Sequence, residues 1–221
     1  MFEEQQSNVI REYRQVVDFS VLSPVFGKRD IERAANVAYK NKYRSLCVLP
    51  CLVEHAKNYC TEKFSDALKI GAVVGFPLGA NLLSTKIDEA KRAFSQGADF
   101  VDCVIDLVNV KDGDFSAVKK EISRLVRAAR RHEINIVIET SALQRDELER
   151  LCKICSKCKV DHVMTSTGFG TSGATPEVVE VMKRSLGSKT KIKAAGGVSS
   201  REDVWNLLRA GASRIATSRE V

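Results

Sequence analysis

The 221-residue sequence predicts an α/β chain folded as a (β/α)8 TIM barrel, on three observations. Short apolar, β-branched runs alternate with longer amphipathic runs from about residue 16 onward, which is the rhythm of βαβ units around a parallel sheet. Eight short runs occur, at 16–22, 45–50, 70–76, 100–107, 134–140, 161–167, 191–197 and 214–218. No Pro/Gly/Ser-rich linker or low-complexity stretch separates them, so residues 1–221 are expected to form one domain. A doubly wound open sheet is the competing arrangement, because barrels typically run to ~250 residues. Three residues follow the eighth run, so no closing C-terminal helix is expected, and the barrel would be closed by a partner or leave its last strand exposed.

The intervening runs read as helices. In DFSAVKKEISRLVRAARRHE, Val118, Ile122, Leu125 and Ala129 fall at helical spacing, with Lys119, Lys120, Arg124 and Arg127 elsewhere on the wheel. Ligand chemistry in a parallel barrel sits at the C-terminal ends of the strands. In chain order the polar positions there are Asp18 and Ser20, the GFPLGAN turn, Asp102 and Asp106, Glu139, Thr165 to Gly168, Lys193 with Gly196 and Gly197, and Thr217 with Ser218. GFPLGAN holds no G-x-G-x-x-G pattern, which argues against a dinucleotide cofactor.

Two of these stretches can carry chemistry. Alternation in VDCVIDL sets Asp102, Val104 and Asp106 against Val101, Cys103 and Ile105; the helix-facing side wants apolar residues, so both aspartates are expected to face inward. Asp102 is then a candidate acid or base, or one half of an ion pair that only holds the barrel together. In KIKAAGGVSS, Lys191, Lys193 and Ala195 share a face, and the glycine pair precedes a helix expected near Ser200. Glycines there let backbone N–H groups approach an anion at a helix N-terminus, helped by TSTGFG and ATS, although an ordinary turn is the alternative. Burial is expected to lower the pKa of such a lysine, making it an imine-forming amine or a proton donor.

Other features point away from further chemistry. Cys152, Cys155 and Cys158 lie at spacings of three in an expected helix, which strings thiols along a stripe rather than around one ion, so they are read as packing residues and no metal is expected. His55 and His132 are expected to be solvated and away from the catalytic face, with His162 on the next strand. Seven cysteines without an export signal suggest reduced thiols and a cytoplasmic protein, and no apolar run approaches a membrane span. The net charge of +7 suits phosphorylated metabolites or nucleic acid. The basic residues fall mostly on helix exteriors with few aromatics between them, which disfavours a nucleic-acid partner.

The ordered set VDFSVL, CVLP, VVGFPLGAN, GADFVDCVIDL, VIET, TSTGFG, KAAGGV and SRIATS resembles the 2-deoxyribose-5-phosphate aldolases over about residues 16–218. The resemblance implies a barrel enzyme without cofactor or metal. Its members cleave 2-deoxy-D-ribose 5-phosphate reversibly to D-glyceraldehyde 3-phosphate and acetaldehyde through a lysine Schiff base, in deoxyribonucleotide catabolism. It implies Asp102 as the catalytic aspartate and Lys193 as the second lysine, which depresses the pKa of the first. Substrate contacts would be Asp18, Cys47, Thr165, Gly168, Gly196, Gly197 and Ser218, and the assembly a homodimer or higher homo-oligomer. The Schiff-base lysine itself is replaced: V-K-T-S-T-G reads here Val163-Met164-Thr165-Ser166-Thr167-Gly168. Leu49, Asp106, Asn135, Ala216 and Arg219 also depart from the family pattern. Three outcomes stand open: an aldolase impaired at Met164, one in which Lys193 forms the imine, and an inactive paralogue that binds a sugar phosphate or regulates an active partner.

Overall fold

The computed structural model describes residues 15–221. Eight strands close a parallel barrel in chain order: β1 (Val17–Val21), β2 (Ser45–Val48), β3 (Lys69–Val74), β4 (Phe100–Val104), β5 (Glu133–Val137), β6 (His162–Met164), β7 (Lys191–Ala195) and β8 (Arg214–Thr217). Among the described residues eight α-helices surround it: α1 (Lys28–Lys40), α2 (Val53–Phe64), α3 (Leu83–Ser95), α4 (Leu107–Lys111), α5 (Phe115–Ala129), α6 (Arg145–Lys157), α7 (Pro176–Ser185) and α8 (Arg201–Ala210). The open-sheet alternative is excluded because β8 pairs with β1, aligning Asp18 with Ala216. The chain therefore closes its own barrel without a partner. Ile215 on β8 is fully buried, and Val221 folds back so that its N–H and carbonyl both bond the Tyr43 hydroxyl.

Strand alternation sorts the side chains. Val17, Leu46, Ile70, Val101, Ile134, Val163, Ile192 and Ile215 join the helix-facing core, into which α5 sends Val118, Ile122, Leu125 and Ala129. The opposite faces point into the barrel and are polar below and apolar above. The register aligns Asp102 with Asn135, Asn135 with His162, Val137 with Met164, and Met164 with Lys193. Phe100 also points inward, and its register partner is Gly71; a Cβ there would sit 2.2 Å from the ring, so only glycine leaves room for it.

Each strand ends before the expected run does, and after β3, β5, β6 and β7 the backbone turns left-handed. Gly75, Glu139, Gly168 and Gly196 all have positive φ. Asp106, expected to face inward, instead caps α4: its carboxylate accepts from Val108 N–H at 2.9 Å and Asn109 Nδ2 at 2.7 Å. A short side-chain acceptor beside free N–H groups caps a helix more readily than it continues a ladder. Cys152 and Cys155 are buried along α6 and Cys158 caps its end, contacting Ser123. His132 is exposed as expected, stacked on Phe94, whereas His55 is half-buried and paired with Glu32.

Candidate active site

The polar interior begins at the N-terminal face of the barrel. Arg44, just before β2, reaches Asp18 Oδ1 and Glu133 Oε2, each at 3.0 Å, and Glu133 also holds Arg214. Ser45 Oγ donates to the same Asp18 oxygen at 2.5 Å. Above them, the Lys193 Nζ lies 2.7 Å from Asp18 Oδ2 and 2.8 Å from Asp102 Oδ2, and 4.6 Å over the centre of the Phe100 ring. Asn135 Nδ2 donates to Asp102 Oδ1 at 2.8 Å, while its carbonyl oxygen lies 3.0 Å from His162 Nδ1. Cys47 Sγ completes the set, 3.7 Å from Asp102 Oδ2.

These contacts decide the protonation states. Burial alone would lower the Lys193 ammonium, but Asp102 and Asp18 outweigh it and raise the pKa above the ordinary lysine value. The expected lowering of the lysine pKa by burial is not met: desolvation is present, and two carboxylates overcompensate it. Burial would likewise raise Asp18, yet Lys193 and Arg44 hold its carboxyl far below the usual range. Burial, reinforced by the charge of Arg214, pushes His162 down to about 3, so the imidazole is neutral near pH 7.

A cavity of about 690 Å³ opens above this layer at the C-terminal mouth. Of the sequence-predicted residues, Asp102, Met164, Gly168, Gly196, Gly197 and Ser218 line it. Asp18, Cys47, Thr165 and Lys193 do not: all four are fully buried beneath or beside its floor. Thr165 spends its hydroxyl between β6 and β7, donating to the Ala195 carbonyl at 3.0 Å and accepting from the Ala195 N–H at 2.9 Å. Lys193 points inward but away from the mouth, because its amine follows the two carboxylates downward.

The loops after β6, β7 and β8 form one end of the cavity. Gly168, Gly196 and Gly197 have φ of +84°, +86° and +75°. Gly173 rests on Gly196, where a Cβ would lie 2.1 Å from the Gly196 oxygen. A Cβ on Gly197 would meet nothing within 4 Å, so that backbone faces open space. Glu139 fastens the β6 loop, accepting from Thr167 N–H at 3.0 Å and Thr167 Oγ1 at 2.6 Å. The expected contribution of a helix N-terminus is not available in simple form. Ser200 and Asp203 cap α8 reciprocally, with the Asp203 carboxylate taking the N–H groups of Ser199 and Ser200 at 2.9 Å.

Sequence reasoning missed the relay of Arg44, Glu133 and His162 beneath the site. The available signal was polar residues interrupting apolar runs, as Asn135 does in INIVI and His162 in DHVM.

A closed (β/α)8 barrel with a buried lysine–aspartate pair under a glycine-edged mouth has the framework of an aldolase-type barrel. The chain belongs to the DeoC/LacD family aldolases, whose family model matches residues 15–218. Among its relatives, a deoxyribose-phosphate aldolase of Thermococcus kodakarensis is 39% identical over 213 residues, covering 96% of this chain and 95% of the relative. One from Clostridium perfringens is 37% identical, covering 94% and 92%. Among solved structures, the aldolase QR15 superimposes with a TM-score of 0.88 at 31% identity, covering 94% of this chain and 91% of the other. The deoxyribose phosphate aldolase of Aeropyrum pernix, described as a unique tetramer, gives 0.85 at 27%, covering 97% and 92%.

Proposed function

We propose that the barrel mouth binds a small phosphate ester without forming a Schiff base. Reversible cleavage of 2-deoxy-D-ribose 5-phosphate to D-glyceraldehyde 3-phosphate and acetaldehyde is then impaired in this chain. One observation carries the reading: among the described residues no lysine lines the cavity. The side chain at the β6 wall is the Met164 thioether, and the inward lysine beside it is clamped under the floor. An amine attacks a carbonyl through its lone pair, which a protonated and doubly ion-paired ammonium does not present. The glycine loops and the relatives named as deoxyribose-phosphate aldolases support the phosphate-ester class.

A cytoplasmic, single-domain homo-oligomer using no metal or cofactor is part of the same reading. The tetrameric Aeropyrum relative supports the oligomer. Among the described residues no helix is long and apolar enough to cross a membrane.

The test is borohydride reduction in the presence of acetaldehyde or deoxyribose 5-phosphate, followed by intact-mass measurement and peptide mapping. No adduct is expected. An adduct at Lys193 would show that the amine leaves its carboxylates and that the nucleophile has moved.

A further inference from the structure

The cavity wall above Asp102 is carbon on most sides, formed by Leu22, Val73, Phe76, Met164, Ala195 and Ala216. Met164, Ala195 and Ala216 belong to one buried apolar cluster with Val104 and Val137, and Phe76 packs against it. Of the polar side chains that border this chamber, Asp102, Thr167 and Thr217 are already spent, while the Ser20 hydroxyl stays open to a ligand. Asp102 receives Lys193 on both oxygens as well as Asn135 and Cys47. The Thr167 hydroxyl donates to Glu139 and accepts from Phe169 N–H, and the Thr217 hydroxyl donates to the Val198 carbonyl at 2.7 Å while accepting from Arg219 N–H.

A polyhydroxylated sugar carried into this chamber would lose water and find few side-chain partners beyond Ser20, which is costly for each hydroxyl left unpaired. An apolar group would gain by the same burial. Toward the entrance, the Phe76 and Phe169 rings meet edge to face at 5.4 Å, and Phe169 is 60% exposed, offering a further aromatic surface.

We infer that the ligand is a phosphate monoester whose organic part is an alkyl or aryl group in place of a polyhydroxylated sugar. Its phosphate sits at Gly196, Gly197 and Ser218, and its apolar part lies against Met164 and Phe76. This inference rests on the reading of the glycine loops as an anion seat.

Isothermal titration of the full chain with inorganic phosphate, 2-deoxyribose 5-phosphate, n-butyl phosphate and phenyl phosphate tests it. The butyl and phenyl esters are expected to bind about tenfold or more tighter than inorganic phosphate, and deoxyribose 5-phosphate within about threefold of inorganic phosphate. Met164→Gln, of similar length but polar, should weaken phenyl phosphate about fivefold and leave inorganic phosphate unchanged. Deoxyribose 5-phosphate binding as tightly as phenyl phosphate, or a Met164→Gln chain with unaltered preference, overturns the apolar chamber while keeping the anion seat. Binding of none of the four probes removes the seat itself, and both readings fall.

Discussion

Both carboxylate oxygens of Asp102 face the Lys193 ammonium, at 3.0 and 2.8 Å, and Asp18 closes on the same nitrogen from the other side. The pair lies in the barrel interior with Lys193 fully buried. Its members depend on one another, since either charge left alone would be stranded out of water.

Removing the ammonium should therefore be expensive. Lys193→Met leaves Asp18 and Asp102 facing each other without their shared cation, and a loss of roughly 3–5 kcal/mol is expected in urea unfolding. Adding Asp102→Asn should recover part of that loss. A single variant as stable as the parent would mean that the clamp contributes nothing to folding.

Met164→Lys should create a nucleophile. Position 164 borders the cavity and is the register neighbour of Lys193, so an added amine would stand beside an existing cation. Burial and like charge both favour its neutral form. Borohydride trapping is expected to map an acetaldehyde adduct to position 164, with deoxyribose phosphate cleavage rising above the parent. If the variant folds and binds phosphate yet stays inert, the changes at Leu49, Asp106 and Asn135 have altered the site more deeply than the methionine alone.

Acid should weaken the fold through His162. Its pKa falls from 6.5 to about 3 in the folded chain, so between those values the unfolded chain binds a proton that the folded one does not. Stability is then greatest above pH 6.5 and falls as pH drops. From pH 7.5 to 5 this site accounts for about 2 kcal/mol. His162→Gln should flatten that part of the urea-unfolding profile, and an unchanged slope would exclude His162 as its source.

Gly197→Ala probes the mouth separately. Its φ of +75° makes alanine strained, and its open side means that the added methyl meets the cavity and not the protein. The variant should fold with a stability loss of about 1 kcal/mol. Thermal stabilisation by millimolar phosphate should disappear. Retained stabilisation would place the anion elsewhere.

The barrel was legible because its signal is periodic and repeated: eight apolar runs with amphipathic spacers admit few closed arrangements. Asp102, Met164 and the glycine loops were legible from alternation and from the ordered motifs. The depth of Lys193 was not, since alternation gives a side chain's face but not the direction a long flexible chain takes toward distant carboxylates. Asp106 failed for a local reason: period-two reasoning ran past the strand end, where capping outweighed alternation. Arg44, Glu133 and His162 meet only because the closed barrel brings their strands around one axis.

The polar interior also has an arithmetic. Lys193, Arg44 and Arg214 balance Asp18, Asp102 and Glu133, and His162 adds no charge near neutral pH. The foundation of the barrel is thus electrically closed, and the +7 of the sequence belongs to the rest of the chain. Arg33 and Arg219 at the outer cavity stand in water, where salt screens charges beyond about 8 Å at physiological ionic strength. The ring below is far less open to that screening. The medium can thus tune the grip at the mouth while the frame that holds it stays indifferent.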